Sequence, residues 1–120
     1  MKRGDVVLVK FPFTDLTSSK VRPALVISSD HYNSSNQDAI FVAISSKMER
    51  QQPYDIAIDS NNIEFSITGL KAPALIKADK IVRLSKSLAT RRLGEVGSGT
   101  MSRVDSIISN VLGLNKNRAS

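Results

Sequence analysis

The 120-residue chain contains no cysteine, no tryptophan and a single histidine. Without cysteine it has no disulfides, thiolate metal ligands or thiol nucleophiles, which suits a reducing compartment. One histidine, His31, excludes a two-histidine acid–base nuclease site within one chain. His31 sits in a polar stretch with no visible partner, so a surface or substrate contact outranks catalysis there. No His or Cys pair stands at zinc spacing and no HExxH occurs. The acidic residues are scattered, without the cluster that a two-metal nuclease needs. A GxxxxGKS/T loop and a G-x-S-x-G elbow are both missing. No apolar run approaches the roughly 20 residues that span a bilayer. The opening Met1-Lys2-Arg3-Gly4-Asp5 passes straight into a strand-like pattern with no signal-peptide h-region. The expectation is a cytoplasmic protein that uses no metal and no cofactor and does not enter a membrane.

What is present is ordinary in amount and uneven in distribution. Hydrophobic residues make up 41% and charged residues 23%, enough for one globular core. A single domain over 1–114 is expected, followed by a polar tail over 115–120. The net charge is +6, and all of the excess lies in 71–103. That segment holds Lys71, Lys77, Lys80, Arg83, Lys86, Arg91, Arg92 and Arg103 against only Asp79 and Glu95. Elsewhere the signs balance. Such a concentration of cations suits a polyanion, because each phosphate contact releases counterions; a solvated basic face is the plainer reading.

Val6-Val7-Leu8-Val9 reads as a buried strand ended by Phe11-Pro12-Phe13, since proline cannot donate within a central ladder. A polar loop over 14–20 leads to a second strand, Arg22 to Ser28. Asp30 to Asp38 reads as another polar loop. Strands are expected over Ala39 to Ile44 and Tyr54 to Ile58, and one helical turn over Asn61 to Phe65. Lys77 to Leu84 reads as a long or bent strand. Ser87 to Val96 is expected to be a short helix. Met101, Val104, Ile107, Ile108, Val111 and Leu112 recur at helical spacing, with Thr100 as N-cap and Gly113 as C-cap. Short strands followed by a terminal helix predict a mainly β domain: a small curved sheet or partly open barrel with helices attached.

Elimination leaves Arg22, the hydroxyls of Ser45 and Ser46, and the pair Lys77 and Asp79. Taken singly each has a plainer explanation. Arg22 suits a surface ion pair, the serines suit strand-end backbone capping, and Lys77 and Asp79, two apart on one strand face, suit each other. Together they form a metal-free set fit for phosphoryl chemistry: cations for charge on phosphorus, a hydroxyl to position it, and a carboxylate to accept a proton.

Arg3-Gly4-Asp5-Val6-Val7-Leu8-Val9, Phe11-Pro12-Phe13-Thr14-Asp15 and Arg22-Pro23-Ala24-Leu25-Val26-Ile27-Ser28 resemble the N-terminal signature of the MazF/PemK toxins. The likeness runs on through Val42-Ala43-Ile44-Ser45-Ser46 and Gly69-Leu70 to Asp79, and ends at Val111-Leu112-Gly113-Leu114. The resemblance implies an SH3-like curved barrel with a C-terminal helix. It also implies a homodimer that cleaves single-stranded RNA at short sequences without metal. A cognate antitoxin protein would cover the RNA groove, and DNA binding would be expected in company with it. By the same resemblance the catalytic residues are Arg22, Ser45, Asp79 and Lys77. RNA contacts fall to Thr14, Asp15, Ser18, Ser19 and Lys20 of the first loop, Ser46 and Lys47 after the third strand, and Lys80 and Arg83 of the basic strand. Two departures stand out. Ser45 replaces the usual threonine, which loosens the hydroxyl rotamer, and the first loop lacks the common glycine-rich pattern. Two other outcomes fit the same fold: a CcdB-like toxin that binds gyrase, and a barrel that binds nucleic acid without cutting it.

Overall fold

The computed structural model describes residues 1–12 and 20–114. Thr14, Asp15, Ser18 and Ser19 of the expected RNA-binding loop, and the tail over 115–120, lie outside the described residues. Six antiparallel strands form one sheet: β1 Asp5–Phe11, β2 Lys20–Val26, β3 Asp38–Ser45, β4 Asp55–Ile58, β5 Ala74–Ser85 and β6 Ala89–Glu95. Their spatial order is β4-β5-β3-β2-β1-β6, so β4 and β6 are the edges and the sheet stays open. Among the described residues two α-helices complete the fold, α1 Asp30–Ser35 and α2 Ser98–Leu112. The mainly β, barrel-like domain with a C-terminal helix is the architecture anticipated above.

Strand alternation gives the sheet two buried faces. Val6, Leu25, Val42, Ile44, Ile56, Ile58, Ile76 and Ala78 point to one side, where Val104, Ile107 and Ile108 of α2 cover them. Val7, Val9, Phe11, Ala24, Val26, Ala39, Phe41 and Leu84 point to the other. Each face holds its own apolar cluster, and neither could be left to water. β5 serves both. Its register against β3 jumps from Val42↔Ile81 to Ala43↔Lys77, which leaves Ala78, Asp79 and Lys80 without partners on β3. Three inserted residues are an odd number, so the strand emerges with its faces exchanged. Ile76 therefore joins the first cluster while Val82 and Leu84 join the second.

Four sequence expectations change. Residues 89–95 are a strand rather than a helix, preceded by one turn of 3-10 helix at Lys86–Leu88. Arg91 and Arg92 lie opposite Leu8 and Val7, so pairing with β1 overrides the helical look of the segment. The polar stretch after Ser29 is helical over Asp30–Ser35, because the Ser29 hydroxyl accepts from the Tyr32 N–H at 3.1 Å and caps it. The helical turn expected over Asn61 to Phe65 sits slightly later, at Phe65–Thr68. Finally, α2 begins at Ser98 with Gly97 as N-cap, so Thr100 lies inside its first turn. Gly113 is the expected C-cap, with a left-handed φ of 72°.

The N-terminus of α2 is capped from a distance. Glu64 accepts from the backbone N–H groups of Gly97 at 3.1 Å, Gly99 at 3.2 Å and Thr100 at 3.2 Å. Anionic charge belongs at this end of a helix, where the first N–H groups lack partners. A Cβ on Gly97 would meet the Glu64 carboxyl carbon at 2.5 Å, so this close approach requires glycine. The Thr100 hydroxyl, with the three N–H groups, holds the Glu64 carboxyl below its usual range, and burial opposes them.

A group with a depressed folded pKa stabilises the protein above its unfolded value, about 4.3 for glutamate, and that contribution is lost as pH falls through the folded value. Glu64→Gln is therefore expected to lower stability at neutral pH, with the gap to wild type narrowing in the acid range. Urea unfolding of both proteins across pH checks this; a gap that does not change with pH would show that the carboxylate charge is not involved.

Candidate active site

The antiparallel register brings the separated residues of the sequence together. Ala24 pairs with Ala43, and Ala43 with Lys77. Arg22 and Ser45 lie two residues beyond that row on β2 and β3, so they project to the same face. The β2–β3 ladder is not continued past Ala24↔Ala43, and a cleft of about 560 Å³ opens there. Arg22, Ser45, Lys47, Arg50, Gln52, Lys77 and Lys80 supply its polar lining, with Phe11 and Val82 among the apolar residues. Among the described residues, five cations and no carboxylate face it. In a concave site such as this the fields of like charges add, which favours an anionic ligand.

Ser45 is half-buried, and its hydroxyl oxygen accepts from the Lys47 N–H at 3.1 Å. The serine thus caps the strand end, as serines commonly do, while its own O–H stays available to donate. Lys77 pairs with Asp55 of β4 at 2.7 Å, not with Asp79. Asp55 sits directly across the ladder from Lys77, with its side chain 1% exposed. The same carboxylate oxygen, Oδ2, accepts from the Gln52 N–H at 2.8 Å. Its other oxygen is buried without a partner among the described residues.

The remaining expected residues divide. Lys47 and Lys80 line this cleft with Arg22, Ser45 and Lys77. Lys20 and Ser46 line a neighbouring groove on the far side of Arg22, together with Lys71 and Leu70. Ser45 and Ser46 therefore face different hollows, as alternation along a strand requires. Arg83 lies further along β5 and pairs with Asp38 at 2.9 Å, away from the cleft lining. Asp79 is exposed within the β5 bulge and is not among the lining residues. His31 is exposed on α1. Arg50, Gln52 and Asp55 were not singled out from sequence. Their one signal is the polar run before Asp55-Ile56-Ala57-Ile58, which marks a strand entry and nothing more. No group of three or more His, Cys, Asp or Glu among the described residues is placed to hold a metal ion.

Residues 2–112 match the family of PemK-like, MazF-like toxins of type II toxin–antitoxin systems. The chain is 32% identical over 98 residues to endoribonuclease MazF6 of Mycobacterium tuberculosis, covering 80% of this chain and 82% of that protein. It is similar to the solved structure of an endoribonuclease in complex with its cognate antitoxin from a mycobacterial species. That match has a TM-score of 0.72, 25% identity, and coverage of 95% of this chain and 96% of that one. A MazE–MazF structure from Deinococcus radiodurans shares the fold at a TM-score of 0.73 and 22% identity, covering 94% and 96%.

The buried ion pair yields a stability prediction independent of catalysis. Lys77→Met leaves the Asp55 carboxylate buried and uncompensated, and is expected to cost about 3–5 kcal/mol. Adding Asp55→Asn in that background is expected to restore most of the loss, because no buried charge then remains. Thermal or urea unfolding of the two single variants and the double variant checks this; a double variant less stable than Lys77→Met would contradict it.

Proposed function

The chain belongs to the PemK-like, MazF-like toxin family of type II toxin–antitoxin systems, and from that premise we propose how its cleft carries out endoribonuclease chemistry. The substrate is single-stranded RNA, cut without a metal ion at short specific sequences. The ribose 2′-oxygen attacks the adjacent phosphorus, a new P–O bond forms, and the bond to the 5′-oxygen breaks. The products are a 2′,3′-cyclic phosphate and a 5′-hydroxyl. One observation carries the reading: Arg22, Ser45 and Lys77 come from three strands to one cationic cleft.

Arg22 stabilises the charge that develops on the phosphorane oxygens, and a water at the guanidinium returns a proton to the leaving oxygen, since a free guanidinium is a poor acid. Ser45, held by the Lys47 N–H, donates its O–H to a non-bridging oxygen. Lys77 adds fixed positive charge. Asp79, exposed in the bulge between Lys77 and Lys80 and outside the cleft lining, accepts the 2′-hydroxyl proton through a bridging water. Lys47 and Lys80 bind flanking phosphates, and Lys20 and Ser46 do so from the neighbouring groove. Exposed bases are read mainly by polar contacts, because aromatic residues make up only 5% of the chain.

The same proposal includes a homodimer and a cognate antitoxin that covers the cationic cleft, with DNA binding as a property of the pair. Exposed apolar side chains at Val21, Ile81, Val111 and Leu112 support association with another surface. The chain is placed in the cytoplasm, and no described helix is long and apolar enough to cross a membrane.

Arg22→Ala is expected to abolish cleavage and to relieve growth arrest while the protein stays folded. Ser45→Ala is expected to slow single-turnover cleavage of one short RNA by about 10²–10³-fold, the usual loss for one positioned donor. Ser45→Thr should keep the rate or raise it, as a β-branched residue is stiffer, and Ser46→Ala should have a mild effect. Full activity in a folded Arg22→Ala protein would remove the cleft from the chemistry. A crippling Ser46→Ala with a silent Ser45→Ala would move the site to the neighbouring groove.

A further inference from the structure

We infer that Asp55 is a positioning residue of the reaction, setting the cleft through Lys77 and the segment before β4, and this rests on the endoribonuclease reading above. Three observations carry it. The carboxylate is buried at 1% exposure beneath a cleft whose lining holds no acid among the described residues. Its Oδ2 holds two separate parts of that lining, the Lys77 ammonium at 2.7 Å and the Gln52 backbone at 2.8 Å. Its Oδ1 is buried with no partner among the described residues.

The third observation separates a functional from a purely structural role. A buried carboxylate oxygen without a donor loses its hydration and gains nothing in return. An apolar pair of similar volume in place of Asp55 and Lys77 would strand no oxygen and is often neutral or stabilising by comparison, so stability alone does not account for the charged pair. The charge makes sense through what it holds. Lys77 has a flexible four-carbon stem and a point charge, and a lysine left free would sample many positions. The ion pair with Asp55 confines the ammonium to the cleft wall, where a side-chain 19% exposed still reaches the cleft. An ammonium has three donors, and Asp55 engages one, so the others remain for phosphate oxygens. Lys77 then acts as a preorganised cation, with no reorganisation needed when charge builds on phosphorus. Through Gln52 the same oxygen also anchors the chain next to Arg50.

Asp55→Asn tests this, with RNA affinity and single-turnover rate at saturating RNA measured separately. The expected result is a rate about 10- to 100-fold lower, the size of loss that a small misplacement of a reacting group produces. RNA affinity should be unchanged or greater, because a negative charge near the phosphates has gone. Thermal stability should fall less than in Lys77→Met, because the Lys77 ammonium, with its side chain 19% exposed, can turn to water. Asp55→Glu, which keeps the charge on a longer stem, should recover part of the rate. In a Lys77→Met background, at a temperature where circular dichroism shows that protein folded, Asp55→Asn should have almost no further effect on rate. An unchanged rate in Asp55→Asn overturns the inference. So does an equal loss of rate with Lys77 absent, or a rate that falls only in step with the folded fraction. Failure of the wild-type protein to cut any RNA overturns the endoribonuclease reading itself and this inference with it.

Discussion

The three-residue bulge in β5 is the constraint on which both the core and the cleft depend. Ile76, Ala78, Val82 and Leu84 of β5 are an even number of residues apart, so in an unbroken strand all four would lie on one face. Inserting Ala78, Asp79 and Lys80 reverses that assignment partway along, so one strand supplies Ile76 to the cluster under α2 and Leu84 to the opposite cluster. The same reversal decides which charges reach the cleft. Lys77, just before the bulge, is aligned with Ala43 and Asp55 and shares the face that carries Arg22 and Ser45. Bulges beside functional sites commonly re-aim a side chain in this way. Here the bulge also brings Lys80, which has no β3 partner, to the cleft lining.

Electrostatics follow from that geometry. Cations from β2, β5 and the segment between β3 and β4 converge where the β2–β3 ladder stops, while acidic partners are kept elsewhere. Asp38 pairs with Arg83 at the other end of β5, and Asp5 and Glu95 pair with Arg92 across β1 and β6. Basic residues that look equivalent in the 71–103 segment therefore do different work. Lys77 and Lys80 are directed to the cleft, while Arg83 and Arg92 are neutralised locally. The side chains of Arg83 and Arg92 are themselves more than half exposed, so these pairs contribute little stability.

Much of this was legible in the sequence, for reasons that differ by element. β1 to β3 are written in runs of valine, isoleucine and leucine whose alternation matches their burial. The α2 stripe of Val104, Ile107 and Ile108 is unambiguous, and Gly113 ends it. β6 was not legible: Ala89-Thr90-Arg91-Arg92-Leu93-Gly94-Glu95 has little strand character, and its extended state comes from pairing with β1. The cap on α2 was missed because Glu64 is more than thirty residues away, and local rules look for a capping side chain next to the helix. Arg22 and Ser45 could be singled out because each ends or opens a strand beside a polar loop, and because of the family resemblance. Asp55 could not. Its importance lies in a cross-strand partner 22 residues away, which only register reveals. Lys77 and Asp79 were read together as neighbours on one strand face, and the bulge is what parts them.

The proposed reaction is cleavage of RNA by the cationic cleft, through the neighbouring 2′-hydroxyl and without metal. Incubating the purified protein with a long natural RNA in excess EDTA, then mapping the cleavage positions and the chemistry of both ends, tests it most directly. The expected result is cutting at one short recurring sequence, undiminished by EDTA, that leaves 2′,3′-cyclic phosphate and 5′-hydroxyl ends. Loss of cleavage in EDTA, or 5′-phosphate ends at the cut sites, would contradict it.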